Sequence, residues 1–245
     1  SLGAAWMLAR PAPAGGWAGL WRHPLAALRP MARQHKDFPL LNTPHAFMGA
    51  LQDTLTLVLI AAWTGDAAAG FWTLALRYLK APATLIGGAL SQTLYPRLLK
   101  AQNPDEARTL VRQAMLGLAA IAAPLAVVLL AWGPDIFTLA FGNPWAQTGE
   151  LARALAPYIA VHFIASPLSV VTMAWGAQAW ALRLALAGQC LFFAGLVTGL
   201  HLGGLTGAGW GVSASMLAYF AYYFWALAHW KNWKDWKGVP HESHA

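Results

Sequence analysis

Three ionisable residues, Asp53, Arg77 and Lys80, stand deep inside strongly apolar stretches of the chain. A charge at the centre of a membrane helix costs about 2.5–3.5 kcal/mol, and one Leu offsets only about 0.5 of that. Such groups face a bundle interior or a wet cavity and pair where they can. Two chemistries fit this pattern. In one, Asp53 and Arg77 form a structural ion pair between two helices. In the other, two cations against one acid leave excess positive charge, and the cavity receives an anionic group while Asp53 tunes it or binds a coupling cation. Lys80 lies one turn below Arg77 on roughly the same helix face. If its helix starts later, it snorkels to an interface instead. Gln52, Gln92 and Gln189 add polar groups in similar settings, as do His162, Ser166 and Ser169. A lone intramembrane His is more often hydrogen-bonded packing than a ligand.

Enzyme chemistry has little to work with. His241-Glu242-Ser243-His244 is one residue short of the HExxH zinc spacing and lies in a polar tail. No Ser–His–Asp or phosphate-loop sequence appears, so neither a catalytic residue, a metal site nor a cofactor is expected. A membrane enzyme usually gathers its polar groups at one interface. Mid-depth charges suit a translocation pathway better. Glu150 and Arg153 have the i,i+3 spacing of a local pair. Gly203-Gly204 and Gly207-Ala208-Gly209 permit close helix approach and read as packing, not as a phosphate loop.

The elements that must position these residues follow from composition. The chain of 245 residues is 58% hydrophobic and 10% charged, with 14 Trp, against roughly 45–50% and about 25% in soluble domains. So few charges cannot cover a water-facing surface. Cys190 is the only cysteine, which excludes a disulfide scaffold. The expected fold is all-α: a polytopic membrane bundle of six transmembrane helices, at roughly 41–64, 67–99, 109–132, 149–175, 178–200 and 204–230, each near the 20 apolar residues a crossing needs. The second is too long for one straight crossing and should kink at Pro82; Pro124, Pro157 and Pro167 are further kink sites. Residues 133–148 read as a loop with a short apolar piece. The chain starts with Ser, shows no signal peptide, and opens as if a hydrophobic helix were already under way. We therefore expect a piece of something longer: 1–9 the end of a preceding helix, 10–36 a linker with an amphipathic part at 20–33, 37–230 the bundle, and 231–245 a polar tail.

Orientation follows from Lys and Arg. Arg10, Arg22, Arg29, Arg33 and Lys36, then Arg97, Lys100, Arg108 and Arg112, then Arg183, then Lys231, Lys234 and Lys237 all fall on one side of six alternating spans. The positive-inside rule makes that side, with linker and C-terminus, cytoplasmic. Topology thus accounts for the net charge of +7, and nucleic-acid binding is set aside. Trp63, Trp72, Trp132 and Trp145 near one boundary, with Trp175, Trp180, Trp225 and Trp230 near the other, read as aromatic belts.

Several stretches resemble a known family. Lys36-Asp37-Phe38-Pro39-Leu40 looks like the start of the second half of polysaccharide flippases in the multidrug/oligosaccharidyl-lipid/polysaccharide exporter superfamily. Leu76-Arg77-Tyr78, Pro82, Leu85-Ile86-Gly87, Ala89, Ser91-Gln92 and Pro96-Arg97 follow its pattern in order and spacing. Phe141-Gly142 with Trp145 looks like its FGxxW loop, and Ser166-Pro167-Leu168-Ser169 like its SPLS segment. The resemblance covers about 36–230 and implies the second of two six-helix bundles related by a pseudo-two-fold axis. It implies a transporter, not an enzyme, that moves undecaprenyl-diphosphate-linked oligosaccharide across the bacterial inner membrane by alternating access. Its partners would be that substrate, membrane lipids, the N-terminal bundle of the same full-length chain and glycan polymerase machinery. Arg77 matches the family's arginine, near the diphosphate or glycan, and Arg suits that task by its fixed fork of donors. Gln52, Gln92 and Lys80 would line the cavity beside it, with Asp53 pairing or coupling.

Two rival readings stay open. An exporter of drug-like cations would use Asp53 as a proton or sodium site and prefer an acidic cavity. A non-transporting scaffold would close Asp53, Arg77 and Lys80 into one dry, paired cluster. One bundle cannot supply both walls of a transport cavity, so the isolated chain is expected to be inactive.

Overall fold

The computed structural model describes the backbone of residues 37–230 and the side chains of residues 48–230. The chain divides into two units, Ser1–Phe47 and Met48–Ala245, and the packing described below is that of the second. The linker, the preceding helix end and the polar tail expected from sequence lie outside the described residues.

The described residues form five α-helices and no strand: α1 (Asp37–Thr64), α2 (Asp66–Lys100), α3 (Pro104–Phe141), α4 (Ala146–Ala174) and α5 (Gln178–Ala228), with a 3-10 turn, Asn143–Trp145, before α4. Among them, Pro104–Phe141, Asn143–Ala174 and Gln178–Ala228 are long and apolar enough to cross a membrane, and Met48–Thr64 is a shorter apolar helix. The expectation of six helices is corrected to five. The stretches 178–200 and 204–230 belong to one element of 51 residues, about 77 Å if straight, against a hydrocarbon core of about 30 Å. It is not straight. Gly203 and Gly204 leave helical geometry, Gly204 at φ 57° and ψ −141°, a conformation essentially reserved for Gly. Beyond this break the two arms run back along one another. A Cβ on Gly199 would strike the carbonyl oxygen of Gly207, and one on Gly195 that of Gly211; the reverse substitutions fail the same way. The arms therefore touch backbone to backbone.

α4 is the central helix. Half of its most apolar stretch is buried, against 11% for α3 and 17% for α5, and it packs against α2, α3 and α5. α2 runs on as one helix through Pro82 and Pro96. The break in α3 lies at Trp132 (φ −123°, ψ 15°) rather than at Pro124. Pro134 follows two residues on; it has no N–H to donate to the preceding turn, which weakens the helix just there. The helix resumes to Phe141 where a loop was expected. Arg153 of α4 donates to the carbonyl of Ala131 at this break (3.3 Å), and Gly133 and Gly149 let the two backbones meet there.

The Trp residues assigned to the belts differ in burial. Trp63, Trp132 and Trp225 are exposed, whereas Trp72 and Trp175 are core residues. Arg108 and Arg112, assigned by sequence to topology, also cap α5: they donate to the carbonyls of Trp230 (3.0 Å) and Ala228 (2.9 Å), where carbonyls lack helical partners.

Candidate functional site: a mid-helix polar layer

The charges singled out by sequence lie on α1 and α2, on either side of the tight turn at Gly65, whose φ of 90° needs glycine. Asp53 and Arg77 are exposed, Lys80 is half-buried, Gln52 is half-buried and Gln92 is exposed. Asp53 forms no ion pair with either cation. The ion pairs among the described residues are elsewhere, Arg108–Asp105 at 2.6 Å and Arg153–Glu150 at 3.3 Å. The second is the local pair expected from its spacing. The Asp53–Arg77 tie is therefore not made, and the closed, dry cluster of the scaffold reading is not formed.

Lys80, not Arg77, turns toward the bundle. Asp53 is near enough to act electrostatically on Lys80 and on Tyr158 of α4, and Lys80 on His162 one turn further along α4. Tyr158 and His162 meet edge to face, with ring centroids 5.6 Å apart. His162 Nδ1 is buried without a hydrogen-bond partner, and so is Gln189 Oε1 of α5. These two atoms share a level. Tyr158 contacts Phe192 (6.2 Å), α4 and α5 are antiparallel across the turn at 175–177, and one turn from that contact leads to His162 on one side and Gln189 on the other. An unmade hydrogen bond at a buried polar atom costs about 1–3 kcal/mol, and ordered water is its usual partner in a polar site. Hydrogen-bonded packing, the reading sequence favoured for His162, is not what Nδ1 shows. Tyr158 escaped sequence reasoning, although its i,i+4 spacing to His162 was available.

Arg77 has different company. Its neighbour Tyr78 packs on Phe141 (5.0 Å), and Trp145 packs on Phe71 (5.7 Å). Phe141 and Trp145 are the aromatic positions of the FGxxW stretch, and Gly142 between them sits at φ 90°. The stretch thus places two rings against Phe71 and Tyr78 of α2. Two other stretches singled out by resemblance also meet. Gly87 leaves room for Ser166 and Pro167, with a would-be Cβ 3.4 Å from Ser166 Oγ, and Ser91 Oγ donates to the Pro167 carbonyl (3.3 Å). The LIGxAxSQ and SPLS segments are thus two sides of the α2–α4 interface.

Residues 17–150, more than half of the chain, match the family described as polysaccharide biosynthesis protein. The chain belongs to that family. The match includes Asp53, Arg77 and Lys80 and ends as α4 begins, so His162 and Gln189 lie outside it. No curated protein and no solved structure matches the chain. Family and apolar helices together make this a membrane protein of polysaccharide biosynthesis.

Proposed function

We propose that this polysaccharide biosynthesis protein is the C-terminal bundle of a transporter that flips undecaprenyl-diphosphate-linked oligosaccharide across the bacterial inner membrane by alternating access. In this reading α5 crosses twice, once per arm, and the C-terminus is cytoplasmic. A second, N-terminal bundle supplies the opposite wall of the cavity. The observation that carries the reading is the open charge layer: Arg77 exposed and Lys80 half-buried, neither neutralised by Asp53 through an ion pair. Excess positive charge at mid-helix favours an anionic group over a cationic drug, and the diphosphate is the substrate feature that carries such charge. Arg77 offers a bidentate fork to phosphate oxygens. Tyr78, Phe141 and Trp145 beside it offer flat apolar faces of the kind that stack on sugar rings. Lys80, Gln52 and Gln92 line the path, and Asp53 competes for the cations or carries the coupling ion.

The test is export of surface glycan by cells relying on the full-length transporter. Arg77→Ala should lower export at least about tenfold at wild-type expression, the equivalent of about 1.4 kcal/mol, and Arg77→Lys should restore part of it. Unchanged export by Arg77→Ala would remove the diphosphate role. The isolated chain in vesicles should not flip a lipid-linked glycan.

A further inference from the structure

α2 and α3 form a second antiparallel pair, joined by the short turn at 101–103, yet they stand apart. Between them lies a groove of about 730 Å³, within the size range of ligand sites. Leu85, Ala89 and Thr93 line it from α2 and Ile121, Gly117 and Gln113 from α3, and the antiparallel run from the turn at 101–103 sets Thr93 and Gln113 toward the turn end and Leu85 and Ile121 toward the other. Its floor is a small separate core in which Phe163 of α4 packs with Ala83, Leu118 and Ala122. The groove is polarised. From Leu85 to Ala89 it is wholly apolar, and Leu85 is 76% exposed. Thr93 and Gln113 make its mouth polar. One turn beyond Thr93 on the same face comes Arg97, and Lys100 ends the helix; both are exposed. The nearby acids are engaged elsewhere: Asp105 pairs with Arg108 and Glu106 accepts from the Gln102 amide. Leu85 to Thr93 spans about 12 Å of helix, close to half of a hydrocarbon core of about 30 Å. A partner helix crossing the bilayer would use an apolar strip of the full thickness. This strip is one leaflet deep and ends in free positive charge.

We propose that the α2–α3 groove is a binding site for an anionic glycerophospholipid of the bilayer. Its acyl chains lie between Leu85 and Thr93, and its phosphate head sits at Arg97 with Lys100 beside it. The site needs only that the chain is embedded in a membrane, and stands or falls independently of transport.

Native mass spectrometry of the purified full chain tests this, with dioleoyl phosphatidylglycerol or dioleoyl phosphatidylcholine added at equal concentrations. Phosphatidylglycerol adducts should form at lower lipid concentration and survive activation better. Arg97→Gln, an exposed change with no packing consequence, should raise the phosphatidylglycerol concentration required about fivefold, one basic residue's share of attraction to an anionic surface. It should leave phosphatidylcholine unaffected. Ala89→Trp should fill the groove and abolish retention of both lipids, whereas Leu139→Trp, at a fully exposed position outside the groove (91% exposed), should not. Equal retention of the two lipids, no effect of Arg97→Gln, or equal losses from Ala89→Trp and Leu139→Trp would overturn the proposal. So would displacement of phosphatidylglycerol by an equal concentration of a polyisoprenyl phosphate, which would give the groove to the glycan carrier instead.

Discussion

Two antiparallel helix pairs in one bundle reach opposite outcomes. The arms of α5 close until backbone meets backbone, with Gly195 against Gly211 and Gly199 against Gly207. α2 and α3 stand apart over a groove, although Gly117 and Ala89 both line it. Nothing lies within 4 Å of a Cβ built on Gly117. A small residue permits close approach but does not cause it. In α5 the small residues recur at one-turn spacing on both arms about a Gly-Gly turn, so one register brings all of them together. Between α2 and α3 the flanking Leu85, Leu90 and Ile121 are large, and Phe163 with its core wedges beneath them. The first pair has the construction of a rigid wall, the second that of a surface with something to receive.

The comparison can be broken at its strongest point. Gly199→Leu forces side-chain atoms into the Gly207 carbonyl and should destabilise by about 3 kcal/mol or more, as overpacking does when backbone cannot yield. Gly117→Leu points into the groove and should stay within about 0.5 kcal/mol. Reversible unfolding of the chain in detergent, followed by circular dichroism, would compare them, and equal losses would erase the distinction. Next in size is the turn itself. Gly204→Ala should cost about 1–3 kcal/mol because its backbone angles suit only glycine. A cost near zero would mean that the hairpin turns elsewhere. Ser91→Ala removes one hydrogen bond to Pro167 at the α2–α4 interface and should cost about 1 kcal/mol; that loss belongs to packing, so glycan export should fall only as far as folded protein does. Smallest is Glu150→Gln. Its pair with Arg153 is partly exposed and spaced i,i+3, so unfolding should shift by no more than about 0.5 kcal/mol.

The polar layer was only half legible in the sequence. Asp53, Arg77 and Lys80 stand out because a charge in an apolar run is conspicuous in one dimension. Their division was not legible. Lys80 is half-buried, near enough to His162 to act on it, while Arg77 is exposed; on one helix face that difference depends on where α4 packs along α2. Gln189 and His162 were visible as polar residues inside apolar segments. That both leave a buried atom unpartnered at one level depends on how α4 and α5 pair. The FGxxW, LIGxAxSQ and SPLS stretches were recognisable as patterns, but that two of them form one interface is a fact about folded α2 and α4.

Composition and periodicity alone determined that this chain is an all-helical membrane protein, where most of its helices lie, and which charges are anomalous. These are local properties, fixed by the hydrophobicity of 20 or so neighbouring residues. Tertiary structure alone decided that two expected helices are one hairpin, that α3 breaks at Trp132 and continues, and that α4 rather than the charged α2 is the central element. It also decided that the small residues of α5 close on each other while those of α2 and α3 do not. The centrality of α4 and the gap between α2 and α3 depend on which side chains a third helix places between or beneath a pair, and that information is spread over residues far apart in the chain.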